Sequence, residues 1–172
     1  KDLTLFTKTV PADAQILFIF SPEKDLTSEE TNRIREFLER EGQVLVLADL
    51  VKDPLPNLQS LLQSYGVTLE RMMVIEDDAS RHAGNSVFIL PEFYGSHPIT
   101  SPLISSQTTV MIPGAIGIKT LELKKSSLSV EPLLTTSEQS WGKTDLNSTS
   151  LVKTSTDVNG PFHLAVAITD EV

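Results

Sequence analysis

Two apolar runs, Ile16-Leu17-Phe18-Ile19-Phe20 and Val44-Leu45-Val46-Leu47-Ala48, decide how this chain is read. Each is short and continuous, and each stops at a turn signal: Ser21-Pro22 after the first, Asp49 after the second. An unbroken apolar run of this length is the pattern of a strand covered on both faces, whereas a half-buried strand alternates. Between the runs, residues 28–41 carry a helical pattern. Thr27 and Glu30 have the spacing of a capping box, and Gly42 stands where a left-handed C-cap is expected. Ile34, Phe37 and Leu38 fall on one stripe, while Glu29→Arg33 and Glu36→Arg40 form i,i+4 pairs on the other. A strand, a helix and a strand of these lengths make a parallel βαβ crossover.

Working outward, a second helix is expected from Asn57 as N-cap through Leu58, Leu61 and Leu62 to Tyr65, closed by Gly66. Residues 72–75 read as a further strand that ends in Glu76-Asp77-Asp78, with a polar stretch from 78 to 85 behind it. Strands are expected near 87–90, 109–112, 118–123, 128–134 and 162–168, and the opening residues 1–6 are already strand-like. Residues 135–158, rich in Ser, Thr, Asp and Asn, read as a long surface excursion around Trp141. The expected architecture is a three-layer αβα domain with a mainly parallel sheet and additional C-terminal strands, forming a single domain over residues 1–172. Because both ends fall against strand-like segments, that domain is expected to be excised from a larger membrane-anchored protein.

Composition narrows the function. The 14 basic and 23 acidic residues give a net charge of −9, which repels phosphate backbones and sets nucleic acid aside. Most of the excess lies in residues 1–100, with 9 basic and 16 acidic groups against 5 and 7 in the remainder. The chain has no cysteine, so thiol nucleophiles, thiolate metal sites and disulfides are out of reach. No apolar run approaches the roughly 18 residues of a membrane span.

The motifs are sharper for what they lack. Gly114-Ala115-Ile116-Gly117-Ile118-Lys119-Thr120 has too short a gap for a phosphate loop, and its Lys does not follow the second Gly. Gly84-Asn85-Ser86 lacks the second Gly of a nucleophile elbow. His82, His97 and His163 are scattered, with no His pair spaced to hold a metal. Neither a cofactor nor a metal is expected, and no nucleophile–base pair marks an enzyme. Four residues remain as candidate ligand or partner contacts. Ser21 and Asp49 follow the carboxyl ends of neighbouring strands, where open α/β sheets bind ligands, or else serve as a turn and a cap. Trp141 is the only tryptophan and stands in a polar stretch, where it could anchor a partner or plug the core rim. Glu76-Asp77-Asp78 reads as a cation site or as a solvated acidic loop. His97 is taken from the resemblance that follows.

An ordered set of segments resembles the gliding-motility-type ABC-transporter auxiliary family. It begins with the apolar run 16–20, Ser21-Pro22-x-Lys24-Asp25-Leu26-Thr27-x-Glu29-Glu30 and Phe37-Leu38-x-x-x-Gly42. The family shows a Gly-Gly turn where this chain has Glu41-Gly42. It continues through Asn57-Leu58-x-x-Leu61-Leu62-x-x-x-Gly66-Val67 and Tyr94-Gly95-x-His97-Pro98-Ile99-Thr100. Leu133-Leu134-x-Thr136-Ser137-x-x-Ser140-Trp141 and Asp157-x-x-Gly160-Pro161-x-x-Leu164-Ala165-Val166-Ala167 complete it. The resemblance implies a fold similar to class I glutamine-amidotransferase-like domains, without their activity, since the nucleophilic Cys is missing. It implies a domain on the periplasmic or extracytoplasmic face, anchored to the membrane elsewhere in the protein. Its implied partners are the membrane subunit and ATPase of an ABC transport system, or a second copy of itself. A non-catalytic scaffold is the expected role. The alternatives are a small-molecule or sugar-binding module serving the transporter, and a diverged hydrolase or amidotransferase-like enzyme.

Overall fold

The computed structural model describes every residue except Lys1, Asp2, Phe6, Lys52 and Val172. The chain divides into two compact units, residues 1–64 and 65–172.

The first unit is the βαβ element. Strand β1 (Ile16–Phe20) lies parallel to β2 (Gln43–Leu47), with Phe18 opposite Leu45. Helix α1 (Ser28–Glu39) connects them, and α2 (Pro56–Ser64) packs on α1. The capping box is present: the Glu30 amide donates to the Thr27 hydroxyl (3.2 Å), and the Thr27 amide donates to the Glu30 carboxylate (2.8 Å). Ile34 and Phe37 are buried, and Glu29 pairs with Arg33. Arg40, expected to pair with the Glu36 side chain, instead donates to the Glu36 backbone carbonyl (3.3 Å).

The helix end departs from expectation in an instructive way. The left-handed residue is Glu41 (φ +64°), not Gly42. Its amide donates to Leu38 O (3.0 Å), and that of Gly42 to Phe37 O (3.1 Å), which is the Schellman pattern. Glycine is needed at 42 because a Cβ there would stand 2.5 Å from the Phe37 ring. Helix α2 likewise starts differently. The carboxylate of Asp25 accepts from the amides of Asn57 (2.9 Å) and Leu58 (3.1 Å), while the Asn57 side chain donates to Leu26 O (2.7 Å). Asp25 is therefore the cap, and Asn57 ties the helix to the loop before α1. At the opening of the chain the strand-like reading is not met by the described residues: Leu3, Thr4 and Leu5 form no strand, and the amides of Thr7 and Lys8 donate to Thr4 O in a turn; Lys1, Asp2 and Phe6 lie outside the described residues.

The second unit is built from short antiparallel strands. In chain order these are β3 (Val67–Leu69), β4 (Met73–Ile75), β5 (Phe88–Ile89) and β6 (Glu92–Phe93), then helix α3 (Ser101–Ser105). After it come β7 (Ile112–Pro113), β8 (Ile118–Thr120), β9 (Leu128–Thr135), β10 (Trp141–Lys143), β11 (Val158–Asn159) and β12 (His163–Asp170). They form a five-stranded sheet ordered β3-β8-β12-β9-β6, a three-stranded sheet ordered β11-β10-β4, and the β5–β7 pair. Met72, Val74, Ile89, Ala115 and Phe162 form its buried core.

The three-layer αβα architecture with a mainly parallel sheet, and with it the amidotransferase-like fold, is therefore incorrect. β1 and β2 make the parallel pair, the described pairings of the second unit are antiparallel, and among the described residues the helices are three and short. The reason lies in the links. A parallel connection needs a crossover of about a dozen residues or more. Residues 70–72 between β3 and β4, and 121–127 between β8 and β9, leave no room for one.

Candidate functional site

Sequence reasoning offered Ser21, Asp49, His97 and Trp141. The first two belong to the first unit and the last two to the second. Ser21 follows β1 with a left-handed backbone (φ +38°), and its amide donates to Leu47 O (2.7 Å), extending the strand pairing by one bond. Asp49 stands exposed two residues beyond β2, at the same carboxyl end of the pair.

His97 organises a turn. Its carbonyl accepts from the amides of Thr100 (3.0 Å) and Ser101 (2.8 Å) and from both of their hydroxyls. Its Nδ1 accepts from the amide of Ile99 (3.1 Å), which leaves the ring proton on Nε2. These bonds set the start of α3, which Pro102 then continues. Around this turn Tyr94 (55%) and Ile99 (61%) are largely exposed. Tyr94 meets His163 edge-on at 6.2 Å, and burial holds the His163 imidazole below its usual pKa.

Trp141 is 1% exposed. It opens β10, the central strand of its sheet, opposite Ile75 on β4 and Asn159 on β11. Its indole N–H donates to Asp77 (2.9 Å). The residue beside Asp77 is the larger surprise. Glu76 is fully buried, and one carboxylate oxygen accepts from the Ser137 hydroxyl (2.6 Å) and the Asp78 amide (3.0 Å). The other oxygen accepts from the Ser137 amide (2.9 Å). An ionised carboxylate can be buried when hydrogen bonds replace its water in this way.

The network continues from there. The Ser140 hydroxyl donates to Ser137 O (2.7 Å) and so accepts from the Thr136 hydroxyl (2.7 Å), which itself accepts from the amide of Phe162 (2.8 Å). The Gly160 amide donates to Ser140 O (2.8 Å), and a Cβ on Gly160 would stand 2.0 Å from the Ser140 hydroxyl oxygen. Thus the Thr136-Ser137-x-x-Ser140-Trp141 and Gly160-Pro161 motifs lock together around Glu76. The acidic segment is solvated only beyond Glu76: Asp77 is exposed and Asp78 half-buried, while Glu76 is buried with both carboxylate oxygens bonded within the protein. The polar excursion contains a buried central strand. Farther out, Asp157 accepts from the amides of Thr144 and Thr154 (2.9 and 2.8 Å), which pull its carboxyl pKa down to about 2.

The sequence set Glu76 in an acidic run, but nothing in it marked the residue as buried. Its partner is 61 residues away, and glutamate is ordinarily a surface residue. Among the described residues, no group of three or more His, Asp or Glu is poised to hold a metal ion. No described helix is long and apolar enough to cross a membrane.

The solved chain titled mmIFT52 N-terminal domain superposes with a TM-score of 0.54 at 14% identity, over 73% of this chain and 54% of that one. That likeness is one of fold, and this chain spans about half the length of that relative. The family described as an ABC-type uncharacterized transport system, an ABC-transport auxiliary family, matches residues 2–172. The chain belongs to it. No curated protein matches the sequence.

Proposed function

We propose that this chain is a non-catalytic accessory domain of an ABC transport system, working by protein contact on the extracytoplasmic face of the membrane. Membership of the auxiliary family over residues 2–172 carries the reading. Within the family, the ordered motifs favour a gliding-motility-type system. The chemistry of the motifs agrees. Ser137, Ser140 and Trp141 spend their polar groups on Glu76, Asp77 and each other, and His97 spends Nδ1 on its own turn. A catalytic or sugar-binding constellation would instead aim such groups at a shared concave space. Tyr94, Ile99, Ile104 and Met111 stand exposed on the segment through α3, as residues that meet a protein surface do.

The test is capture of the tagged protein from native membranes in mild detergent, followed by quantitative mass spectrometry. Co-elution of one membrane subunit and one ATPase at fixed stoichiometry is expected. Elution without them, from membranes in which both are detected, overturns the reading. Location is tested separately. In this cysteine-free chain, Ile99→Cys should be labelled by a membrane-impermeant maleimide added to intact spheroplasts. Labelling only after lysis places the domain on the other side.

A further inference from the structure

The β1–β2 pair has one finished face and one bare one. On one side Ile19 is buried and Leu17, Val44 and Val46 are half-buried. On the other, Ile16, Phe18 and Phe20 are 48%, 57% and 69% exposed, and Leu45 and Leu47 are 44% and 41% exposed. The register sets Phe18 beside Leu45 and Phe20 beside Leu47, so these side chains form two adjoining rows, with Gln43 beside Ile16 at one end. Parallel strands occur almost only with both faces covered. The continuous apolar runs that mark β1 and β2 say the same: the sequence provides for a second cover.

We propose that two copies of this chain associate through this face, each supplying the cover that the other lacks. The area fits. At about 200 Å² for a fully exposed large apolar side chain, the five expose roughly 500 Å². A standard interface buries about 800 Å² per partner, and homodimer interfaces are about 65% apolar, which asks for roughly 500 Å² of apolar surface from each copy. The charge fits as well. On a face that holds no charge, two copies of net charge −9 meet without opposing carboxylates across the contact, and Gln43 is the polar residue of these two rows. Shape gives a third argument. A two-fold axis running along the strands lays the Ile-Phe-Phe row of one copy over the Leu row of the other, bulk against gap, as packed sheets interdigitate. The inference is independent of the transport role, because the association needs no transporter.

Sedimentation equilibrium on the protein tests it. A concentration-dependent dimer is expected, tightened by salt, which screens the repulsion between two acidic chains. Phe18→Thr with Leu45→Thr should weaken it about ten-thousandfold, because both copies carry the change and four central side chains are lost at roughly tenfold each. Both side chains are largely exposed in the single chain, so circular dichroism should not change. The absence of native cysteine allows a second measurement that survives a misfolded Thr variant: F18C mixed with L45C should be joined by a short bismaleimide, because facing sheets stand about 10 Å apart, beyond the reach of a disulfide. A wild-type protein that stays monomeric at high concentration and high salt overturns the proposal. So does a dimer that the Thr pair leaves unchanged, or one in which F18C and L45C do not cross-link. Protection of these residues by the transporter's membrane subunit, with the protein itself monomeric, also overturns it and assigns the face to that partner.

Discussion

Replacing Glu76 by Gln keeps shape and volume but changes what faces Ser137. In the native chain both carboxylate oxygens accept: one from the Ser137 hydroxyl and the Asp78 amide, the other from the Ser137 amide. In Glu76→Gln one oxygen becomes an NH2 group. If it faces Ser137, two N–H groups meet at 2.9 Å and the Ser137 amide is orphaned. If the amide flips, the Ser137 hydroxyl can turn to accept, but the Asp78 amide is orphaned instead. Either way one charge-assisted bond is lost, worth about 1.5–3 kcal/mol, and a donor is left unpaired in a buried place. The expected loss is about 2–3 kcal/mol. With a urea slope of about 1–3 kcal/mol per molar, the midpoint falls by about 1 M or more. Trp141 is the only tryptophan and is bonded to the neighbouring Asp77, so its fluorescence reports this region. A cycle with Ser137→Ala isolates the pair, and a coupling of about 1 kcal/mol is expected. A Glu76→Gln loss below about 0.5 kcal/mol, or a strictly additive cycle, would show that Glu76 does not hold the Ser137 turn.

Other consequences can be measured directly. Glu41 bears a side chain at φ +64°, so Glu41→Gly should stabilise the first unit by about 1 kcal/mol in thermal denaturation, whereas Gly42→Ala, which drives a Cβ into the Phe37 ring, should cost about 1–3 kcal/mol. No gain from the first would mean that the Schellman turn is not formed. Burial lowers the His163 pKa, so the unfolded chain takes up that proton at a higher pH than the folded one does. Its contribution is present above the ordinary imidazole value near 6.5 and declines as pH falls from there towards the lowered folded-state value; His163→Gln should flatten that part of the stability–pH curve, and an unchanged curve counts against the burial. Asp25→Ala removes the carboxylate that caps α2 and should cost about 0.5–2 kcal/mol, with loss of helical signal by circular dichroism; retention of both would place the cap elsewhere.

What was legible in the sequence was local. The capping box at Thr27 and Glu30, the stripe of Ile34 and Phe37, and the two apolar runs each concern residues within a turn or a strand, and β1, α1 and β2 formed accordingly. The ordered short motifs also pointed to the ABC-transport auxiliary family that matches. The failures came where the deciding contact is distant or lies in the chain's spacing. One βαβ unit was extended to a whole parallel sheet, although links such as 70–72 were too short to carry crossovers. Trp141-Gly142-Lys143 was read as part of a surface loop because its flanks are Ser- and Thr-rich, yet that short strand is held between β4 and β11. Glu76 and Ser137 meet across 61 residues, a pairing that periodicity cannot reveal. At the helix end, Gly42 suggested the left-handed position, but the ring of Phe37 claimed the space above it and moved the positive φ to Glu41.

The claim that this chain serves a transport system by protein contact is tested most directly inside the membrane. A photo-crosslinking amino acid at exposed Tyr94, Ile99 or Met111, irradiated in living cells, will couple to whatever touches that surface. The account predicts adducts with the membrane subunit of an ABC transporter, identified by mass spectrometry at one or more of these positions. Folded protein that yields no adduct with any transporter component from any of the three would contradict it.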